Sequence, residues 1–382
     1  MSVSLFVFLF SLLAMFYVYA GYPAIVFLYG KFLSCDIKKK DIEPFITIII
    51  PAYNEEKSIT ATIENKLALN YPPDKIEIIV VSDGSTDRTE EIVGQFSERG
   101  VRLLQQGPRA GKTSALNLAI PQARGEIVVF SDANSIYEKG ALKAILANFA
   151  DTGVGYVTGK MVYVNPDGTG IGDGCSAYMK YENFLRACET RIGSVVGVDG
   201  GIDAVRTKLY RPMNPDQLPD FVLPLSVVEQ GARVVYEPEA LLREDALQAS
   251  SDEYRMRVRV SLRALWALFD KRAMFVSGAN NLFAWQMFSH KVARYLCFLF
   301  MLLAFVSNLA LINQGISYQL LFVLQCGAYL AALASPLLAK IGIKIKILYL
   351  CYYFTLINFA AGHAFVKFLM GKKMILWNPR KG

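Results

Sequence analysis

Polar side chains collect in three short segments of the first third of the chain. Each segment directly follows a run of apolar residues, and the three are residues 51–55, 83–87 and 132–134. If the apolar runs are neighbouring strands of one parallel sheet, the segments meet at its carboxyl edge, where such sheets bind ligands. Aspartate and asparagine also cap helices and close turns, so one segment alone leaves both interpretations open. Three segments from different strands favour a binding site.

Histidine and cysteine chemistry is disfavoured. The chain has two histidines, His290 and His363, and neither has a plausible catalytic partner beside it in the sequence. The six cysteines form no close pair of the CxxC type, and three of them lie in strongly apolar stretches. We therefore interpret the cysteines as free thiols in a reducing compartment, and the pattern argues against a multi-histidine metal centre or a disulfide framework.

Alternating strands and helices would position the polar segments. Strands are predicted at residues 47–50, 76–82, 101–104 and 127–130, and helices at residues 56–69 and 113–122. Another helix is predicted after Asp87, with Glu90 three positions on, and a fourth after Ser135, with Glu138 in the same relation. This alternation is typical of an α/β domain with a mostly parallel sheet that is covered on both faces.

The composition indicates a membrane protein. Hydrophobic residues make up 53% of the 382 residues and charged residues only 19%, against about 45–50% and about 25% in soluble domains. The excess lies in three blocks without a charge, residues 1–30, 296–339 and 347–366, and each is long enough to cross a bilayer. A soluble protein, a disordered chain and a secreted disulfide module are excluded. The stretch between the blocks has ordinary soluble composition and can form one full-sized domain.

Basic residues predict how the chain is oriented. Lys31 and residues 38–40, all lysine, follow the first block, so the amino terminus should face out and the next domain should lie in the cytosol. Two spans are predicted at residues 296–313 and 318–339, with lysines marking a return to the cytosol after them. A last span at residues 347–370 should exit outward, yet a basic tail follows it, so one element is expected to be interfacial or re-entrant.

The net charge of +7 suits lipid headgroups or an anionic substrate. Nucleic acid is not an expected partner, because the basic residues are not interleaved with aromatic residues on one soluble element. The expected location is the plasma (inner) membrane, with the soluble domain in the cytosol.

Four segments of the chain resemble glycosyltransferase family 2. They are Pro-Ala-Tyr-Asn-Glu-Glu at residues 51–56, Val-Ser-Asp-Gly-Ser-Thr-Asp at 81–87, Gly-Lys-Thr-Ser-Ala-Leu-Asn at 111–117 and Phe-Ser-Asp-Ala-Asn at 130–134. They occur in the family's order and with similar spacing. The chain as a whole resembles the membrane-embedded bacterial branch related to cellulose, hyaluronan and poly-N-acetylglucosamine synthases. The resemblance implies a Rossmann-like GT-A fold with transmembrane helices.

The resemblance also implies a nucleotide-sugar donor, expected to be UDP-linked. Asp83 matches the family's uridine-binding aspartate, and Lys112 would neighbour the diphosphate. Asp132 and Asn134 stand where the family has an Asp-x-Asp motif for Mg²⁺ or Mn²⁺; the amide of Asn134 can ligate but brings no charge, so weaker metal binding is expected. The residues expected to shape the nucleotide pocket are Pro51, Ala52, Tyr53, Asn54 and Glu55.

Inversion requires a general base that takes the proton of the acceptor hydroxyl. Asp220 occupies the family's place for this base, although Pro219 replaces the usual acidic neighbour. Asp199 and Asp203 are the alternatives, and we expect them to line the acceptor site.

A helix predicted at residues 253–269 carries a basic stripe of Arg255, Arg259 and Arg263. The stripe could lie on anionic headgroups at the membrane surface. The family instead has a Gln-x-x-Arg-Trp motif here that binds the acceptor end and the diphosphate. Only Arg259 matches it, and the missing Gln and Trp put long-chain polymerisation in doubt.

These expectations divide the chain into five parts. They are an anchor at residues 1–30, a GT-A domain at 42–250, amphipathic interfacial helices at 251–290, about three transmembrane helices at 291–370 and a basic tail at 371–382. The expected function is sugar transfer to a saccharide or lipid-linked acceptor at the membrane, in exopolysaccharide, capsule or glycolipid synthesis. The alternatives are single-sugar transfer to polyprenyl phosphate, or a scaffold or transport component with an inactive domain. Three or four spans would line a saccharide channel only with help from the domain or an additional membrane subunit.

Overall fold

The structure is a computed structural model that describes residues 2–164, 173–245, 250–276, 280–343 and 345–374. The part of the predicted basic tail beyond residue 374 lies outside the described residues.

One mixed sheet of eight strands forms the centre of the soluble domain, in the order β3-β2-β1-β4-β7-β6-β8-β5. The strands are β1 Ile46–Ala52, β2 Ile76–Asp83, β3 Val101–Gln106, β4 Ile127–Ser131, β5 Ile136–Tyr137, β6 Val154–Val164, β7 Ile202–Arg206 and β8 Arg233–Asp245. The four predicted strands are confirmed as β1 to β4, which run parallel to one another. β7 runs antiparallel to both β4 and β6, and β6 and β8 are again parallel. The expected mostly parallel α/β sheet is thus confirmed.

Helices cover both faces of this sheet and continue into the apolar blocks. In the soluble part they are α3 Ile59–Leu67, α4 Thr89–Gly94, α5 Lys112–Ala119, α6 Ala141–Ala147, α7 Asp173–Ile192, α8 Pro219–Glu229, α9 Ser250–Asp270 and α10 Asn281–Met287. In the apolar blocks and just before them they are α1 Val3–Phe16, α2 Tyr22–Phe32, α11 Ala293–Tyr295, α12 Cys297–Leu311, α13 Ile316–Lys340 and α14 Lys346–Leu369. Two π-helical turns, Tyr17–Gly21 and Phe288–Val292, link α1 to α2 and α10 to α11.

The sequence of the central strand β1 is apolar at almost every position because the strand is buried on both faces. All of its residues are buried. Ile48 belongs to the core on the face covered by α3 and α6, whereas Ile49 belongs to the core on the face covered by α5 and α8. A parallel strand that is buried on both faces needs such a continuous apolar run.

The helix predicted directly after Ser135 is wrong. Residues Ile136 and Tyr137 instead form the short strand β5, which pairs with Arg243 and Leu242 of β8, and the helix α6 begins only at Ala141. The buried Tyr137 hydroxyl donates to the carbonyl of Phe130 at 2.7 Å. This long-range pairing overrides the local capping signal, which the sequence pattern alone cannot reveal.

Within the described part of the chain, four helical segments are long and apolar enough to cross a membrane, by length and composition. They are Val3–Phe32, Cys297–Gln314, Ile316–Ala339 and Lys346–Leu369. The predicted anchor, the hairpin of two spans and the last apolar helix are therefore all present as helices. α1 packs on α12, with Phe8, Ala304 and Leu311 buried between them.

The last apolar helix runs along the soluble part of the protein. Val258 and Leu262 of α9 pack against Ala360 and Ala364 of α14. Beyond α14, the Lys373 ammonium pairs with Asp216 at 2.5 Å. The start of the basic tail therefore lies against the soluble domain, where Lys373 has an acidic partner.

Candidate functional site

The site lies where the strand order of the sheet reverses. The chain leaves β1 toward β2 on one side, while β4 lies on the other side of β1, and a crevice opens outside such a switch point. A cavity of about 370 Å³ begins there and extends to residues of the π turn Tyr17–Gly21, which precedes α2, and to residues of α14. The predicted site residues that line it are Pro51, Glu55, Lys112, Asp132, Asn134, Asp220 and Arg259.

Lys112 joins two of the predicted acidic residues. Its ammonium donates to Asp132 at 2.8 Å and to Asp220 at 3.4 Å. Burial by itself lowers the pKa of Lys112, but the two carboxylates outweigh it and raise this pKa above its ordinary value. Lys112 is therefore a fixed positive charge between the predicted metal ligand and the predicted base.

Asp220 is held at the start of α8. Pro219 occupies the first turn of this helix, a position where its missing N–H is tolerated. Gly200, which has φ +85°, faces the carboxylate, and a Cβ there would lie 2.6 Å from the Asp220 Cγ. Burial raises the pKa of Asp220, and Lys112 opposes this rise. A carboxylate with a raised pKa on a cavity wall is suited to accept a proton.

The two alternative aspartates have different surroundings. Asp199 lines the cavity, but its carboxylate pairs with Arg186 at 2.6 Å. Asp203 lies in β7, is 1% exposed and does not line the cavity. Burial, with the nearby Asp220, raises the pKa of Asp203 to about 7. Of the three aspartates, Asp220 is thus the one that lines the cavity and, among the described residues, is not paired with an arginine.

Asp83 is buried beneath a loop and is not part of the cavity wall. Its Oδ1 accepts hydrogen bonds from Gln106 Nε2 at 2.6 Å and from the Ala110 N–H at 2.7 Å. Its Oδ2 accepts from the Gly111 N–H at 2.9 Å. The carboxylate therefore fixes the loop that leads into Lys112, while its direct contact with a nucleotide stays a prediction.

The remaining predicted pocket residues connect two loops beside the cavity. Asn54, with φ 53°, accepts a hydrogen bond from the Thr86 N–H at 2.8 Å. Ala52 is fully buried at the end of β1. The Arg109 guanidinium lies 3.5 Å from the ring centroid of Tyr53. Arg109 was not singled out from the sequence; its only signal is a basic residue in the loop before Lys112.

The basic stripe of α9 turns toward the protein rather than wholly toward headgroups. Arg263 is buried and donates to the carbonyl of Gln217 and, at 3.4 Å, to the hydroxyl of Thr113. Burial lowers the pKa of Arg263 to about 10. Arg259 lines the cavity, and Arg255 is exposed. The four-residue spacing predicted the stripe that contains Arg263, but not that its guanidinium is buried against Gln217.

A buried charged cluster lies at the end of the cavity nearest the apolar helices. The imidazole of His290 contacts Glu189 at 2.7 Å and Glu182 at 3.4 Å. Glu182 also pairs with Arg294. Burial by itself raises the pKa of Glu182, but Arg294 and His290 outweigh it and hold this pKa well below its ordinary value. Both carboxylates come from α7, so the partners of His290 lie far from it in the sequence and could not be recognised there.

The donor set for a metal is small. Among the described residues, no group of three His, Cys, Asp or Glu side chains is placed to hold an ion. Asp132 and Asn134 line the same cavity and offer a carboxylate and an amide oxygen. Oxygen ligands of this kind fit Mg²⁺ or Mn²⁺, which retain other ligands from substrate phosphates and water.

Several of the segments that form this site match a known protein family. Residues 47–200 match the family model described as Glycosyl transferase family 2. These residues form a glycosyltransferase family 2 domain. The match spans β1 to the loop before β7 and so includes Asp83, Lys112 and Asp132. Asp220 and Arg259 lie beyond it.

Two curated relatives share this domain. The probable glycosyltransferase YdaM of Bacillus subtilis is 38% identical over 128 residues, which are 32% of this chain and 30% of that protein. The poly-β-1,6-N-acetyl-D-glucosamine synthase of Staphylococcus aureus is likewise 38% identical over 128 residues, again 32% of this chain and 30% of that protein. The matches thus cover less than a third of the length of either relative.

One solved structure resembles the whole chain. It is the mannosyltransferase PcManGT from Pyrobaculum calidifontis in complex with GDP-Man and Mn²⁺, with a TM-score of 0.74 and 22% identity. The similarity covers 96% of this chain and 99% of that one. The predicted GT-A fold with apolar helices is thereby confirmed.

Proposed function

We propose that the protein is an inverting glycosyltransferase that transfers a sugar from a nucleoside-diphosphate donor to an acceptor held at the membrane. The observation that carries this proposal is the convergence of Asp132, Lys112 and Asp220 on one cavity that reaches the apolar helices. The family 2 domain supports the reaction class. The donor is a nucleotide sugar, with UDP-linked sugars expected from the resemblance and GDP-mannose named for the similar solved structure.

The leaving group of this reaction is a nucleoside diphosphate, whose negative charge must be stabilised as it forms. A divalent cation held by Asp132 and Asn134 would supply Lewis-acid stabilisation of the diphosphate. Lys112 contributes a fixed positive charge beside Asp132. The loop under which Asp83 is buried sets the position of Lys112 at the start of α5.

Asp220 acts as the general base. Its carboxylate takes the proton from an acceptor hydroxyl while the hydroxyl oxygen forms a bond to the anomeric carbon of the donor sugar. The bond from that carbon to the β-phosphate oxygen breaks, and the electron pair leaves with the nucleoside diphosphate. Attack from the face opposite the leaving group inverts the anomeric configuration.

The acceptor is a saccharide or lipid-linked molecule that reaches the cavity from the membrane side, in synthesis of an exopolysaccharide, capsule or glycolipid. Support comes from residues of the π turn Tyr17–Gly21 and of α14 in the cavity wall. The relative that is named as a poly-β-1,6-N-acetyl-D-glucosamine synthase supports a glycan product. We place the soluble domain in the cytosol, at the inner face of the plasma membrane.

The decisive experiment is a screen of UDP- and GDP-sugars with the purified full chain in detergent, with Mg²⁺ or Mn²⁺, that measures released nucleoside diphosphate. We expect one donor to be turned over, and Asp220→Asn to lower the rate by about 10²-fold or more. Asp74→Asn, at an exposed position far from the cavity, is the control and should leave the rate unchanged. Equal rates for Asp220→Asn and the unsubstituted chain would overturn the assignment.

A further inference from the structure

Two π-helical turns form part of the cavity wall at its membrane end. Tyr19 comes from the turn Tyr17–Gly21, and His290 and Lys291 come from the turn Phe288–Val292. Such turns are rare and occur frequently at functional sites, because they redirect side chains within a helix. None of these three residues has a role in the proposed transfer, so this end of the cavity is available to bind another part of a substrate.

Within the described chain, Lys291 has no ion pair of its own at this end of the cavity. Glu182 pairs with Arg294 and Asp199 with Arg186, while Glu189 lies against the imidazole of His290, which is a cation only when it is protonated. Among the described residues, the ammonium of Lys291 has no carboxylate within 4.0 Å, although Glu182 and Glu189 are close enough to influence it. Burial lowers the pKa of Lys291 to about 8, and the two glutamates offset this only in part.

The loop between α7 and β7 brings Lys291 close to the proposed base. A Cβ at Gly197 would lie 2.3 Å from the Lys291 Nζ, and a Cβ at Gly200 would lie 2.6 Å from the Asp220 Cγ. The two glycines are three positions apart on one loop. The ammonium and the carboxylate therefore both approach the same short stretch of backbone, with the space for an acceptor head group beside them.

An apolar groove of about 440 Å³ lies next to the cavity, between α1, α12, α13 and α14. Leucine, phenylalanine and methionine make up much of its wall. Asn308 lines it, is fully buried, and neither its Oδ1 nor its Nδ2 has a hydrogen-bond partner among the described residues. Phe354 of the groove wall meets Tyr19 of the cavity wall edge to face, with ring centroids 5.2 Å apart. This aromatic contact joins the wall of the groove to the wall of the cavity.

We propose that the acceptor is a phosphate-bearing lipid. Its apolar chain lies in the groove, its phosphate binds Lys291, and its head group presents a hydroxyl to Asp220. This proposal rests on the proposed function and specifies its acceptor. The order of the three chemistries along the protein carries it: first the apolar wall, then a cation with no carboxylate within 4.0 Å among the described residues, then the base. A growing neutral polysaccharide would meet an apolar groove that offers few hydrogen bonds to its hydroxyl groups.

Binding of farnesyl phosphate and farnesol to the full chain in phosphatidylcholine nanodiscs tests the phosphate contact. We expect farnesyl phosphate to bind at least about tenfold more tightly than farnesol, since a charge-assisted contact distinguishes them. Lys291→Met should abolish this preference, and Gly197→Ala, which displaces the ammonium without removing it, should reduce it. Lys31→Met removes an exposed cation at the end of α2 and should leave the preference intact.

The groove is tested by a matched pair of neighbouring substitutions in α13. Ala328→Phe fills the groove and should weaken binding of both probes, whereas Gly327→Phe, at a position that faces open space, should not. Equal binding of the two probes, an unchanged preference in Lys291→Met, or displacement by equimolar inorganic phosphate would overturn the proposal. Nucleoside-diphosphate release from the donor is measured in parallel, so loss of lipid binding with intact donor turnover refutes the acceptor alone. Retained binding of UDP or GDP shows that each variant is folded.

Discussion

In the proposed reaction, Asp220 can accept a proton only while it is ionised, so its neighbours set the acid limit of activity. Burial raises the pKa of Asp220 and the Lys112 cation opposes this. Removing the cation leaves burial and the nearby Asp132 opposed only by Arg263, so the pKa of Asp220 rises and the carboxyl group stays protonated up to a higher pH. Activity that depends on the carboxylate is present above this pKa and is lost as the pH falls through it.

Lys112→Met should therefore shift the acid limb of the kcat/KM profile to higher pH. It should also lower kcat by about 10²-fold, because a fixed charge near the leaving group is lost. The profile of released nucleoside diphosphate against pH measures both effects. Lys75→Met, which removes a surface cation paired with Glu43, is the comparison. An acid limb that does not move would show that Lys112 does not act on the base.

Gly200 and Gly231 form a natural pair for testing how closely Asp220 is confined. Both have a left-handed backbone, with φ +85° and +80°, so an alanine costs about 1 kcal/mol of strain at either position. A Cβ would press on Asp220 only at Gly200, since nothing lies within 4 Å at Gly231. Gly200→Ala should lose most of the turnover and Gly231→Ala little, although thermal unfolding shows similar destabilisation. Comparable rates in the two variants would contradict the placement of the base.

At the residue scale, the sequence predicted which side chains meet more fully than it predicted how they are held. Asp132 follows β4 and Lys112 begins α5, and the apolar pattern predicted both elements, whereas Asp220 was placed by the family resemblance alone. The burial of Asp83 was not foreseeable, because it depends on the path of the loop at residues 107–111. The partners of His290 were missed because they come from α7 and approach only in the folded chain.

At the scale of elements, α9 connects the catalytic domain to the apolar helices. One side of it packs on α14, and Arg263 on another side binds the carbonyl of Gln217 just before α8. The buried guanidinium is therefore a link between α9 and the segment that carries Asp220.

Arg263→Met should lower the free energy of unfolding by about 1–3 kcal/mol, because the half-buried Gln217 carbonyl loses its charged donor and, among the described residues, keeps only the Thr113 hydroxyl, at 2.8 Å. Arg255→Met, on the exposed part of the same helix, should lower the free energy of unfolding less. Thermal or denaturant unfolding of the detergent-solubilised chain measures the difference. If the two variants proved equally stable, the basic stripe would serve the headgroups, as the alternative interpretation of the sequence holds.

Sequence patterns predicted some of these elements and not others. The apolar runs located β1, β2 and β4, which are buried on both faces, and also β3, which is only partly buried. It could not reveal β5, whose two residues are a strand only because β8 lies beside them. The position of α14 along α9 likewise depends on a contact between distant segments.

At the scale of the whole molecule, the tail contacts make a definite prediction of topology. Lys373 pairs with Asp216 and the Trp266 indole donates to the carbonyl of Lys372 at 2.8 Å, so the tail should lie on the same side of the membrane as the soluble domain. The turn between α12 and α13 should lie on the opposite side. Three spans, namely the amino-terminal anchor, α12 and α13, are then enough for this topology. The lysines near residues 340–346 should lie on the same side of the membrane as the domain.

Single cysteines introduced into a chain without its six native cysteines test this arrangement in intact cells. An impermeant maleimide should label Ser317→Cys directly. Ser97→Cys in the domain and Lys372→Cys in the tail should be labelled only after the cells are permeabilised. Labelling of Lys372→Cys before permeabilisation would mean that α14 crosses the bilayer and that the tail contacts with the domain do not form.

The aromatic pair of Tyr19 and Phe354 has a kinetic consequence. A substrate that passes between these rings arrives sideways from the lipid phase, and its supply is set by diffusion in two dimensions. The rate should then follow the mole fraction of acceptor within the bilayer, and adding inert phospholipid at a constant total amount of acceptor should slow the enzyme by surface dilution. A water-soluble donor, arriving from the bulk, would show no such dependence.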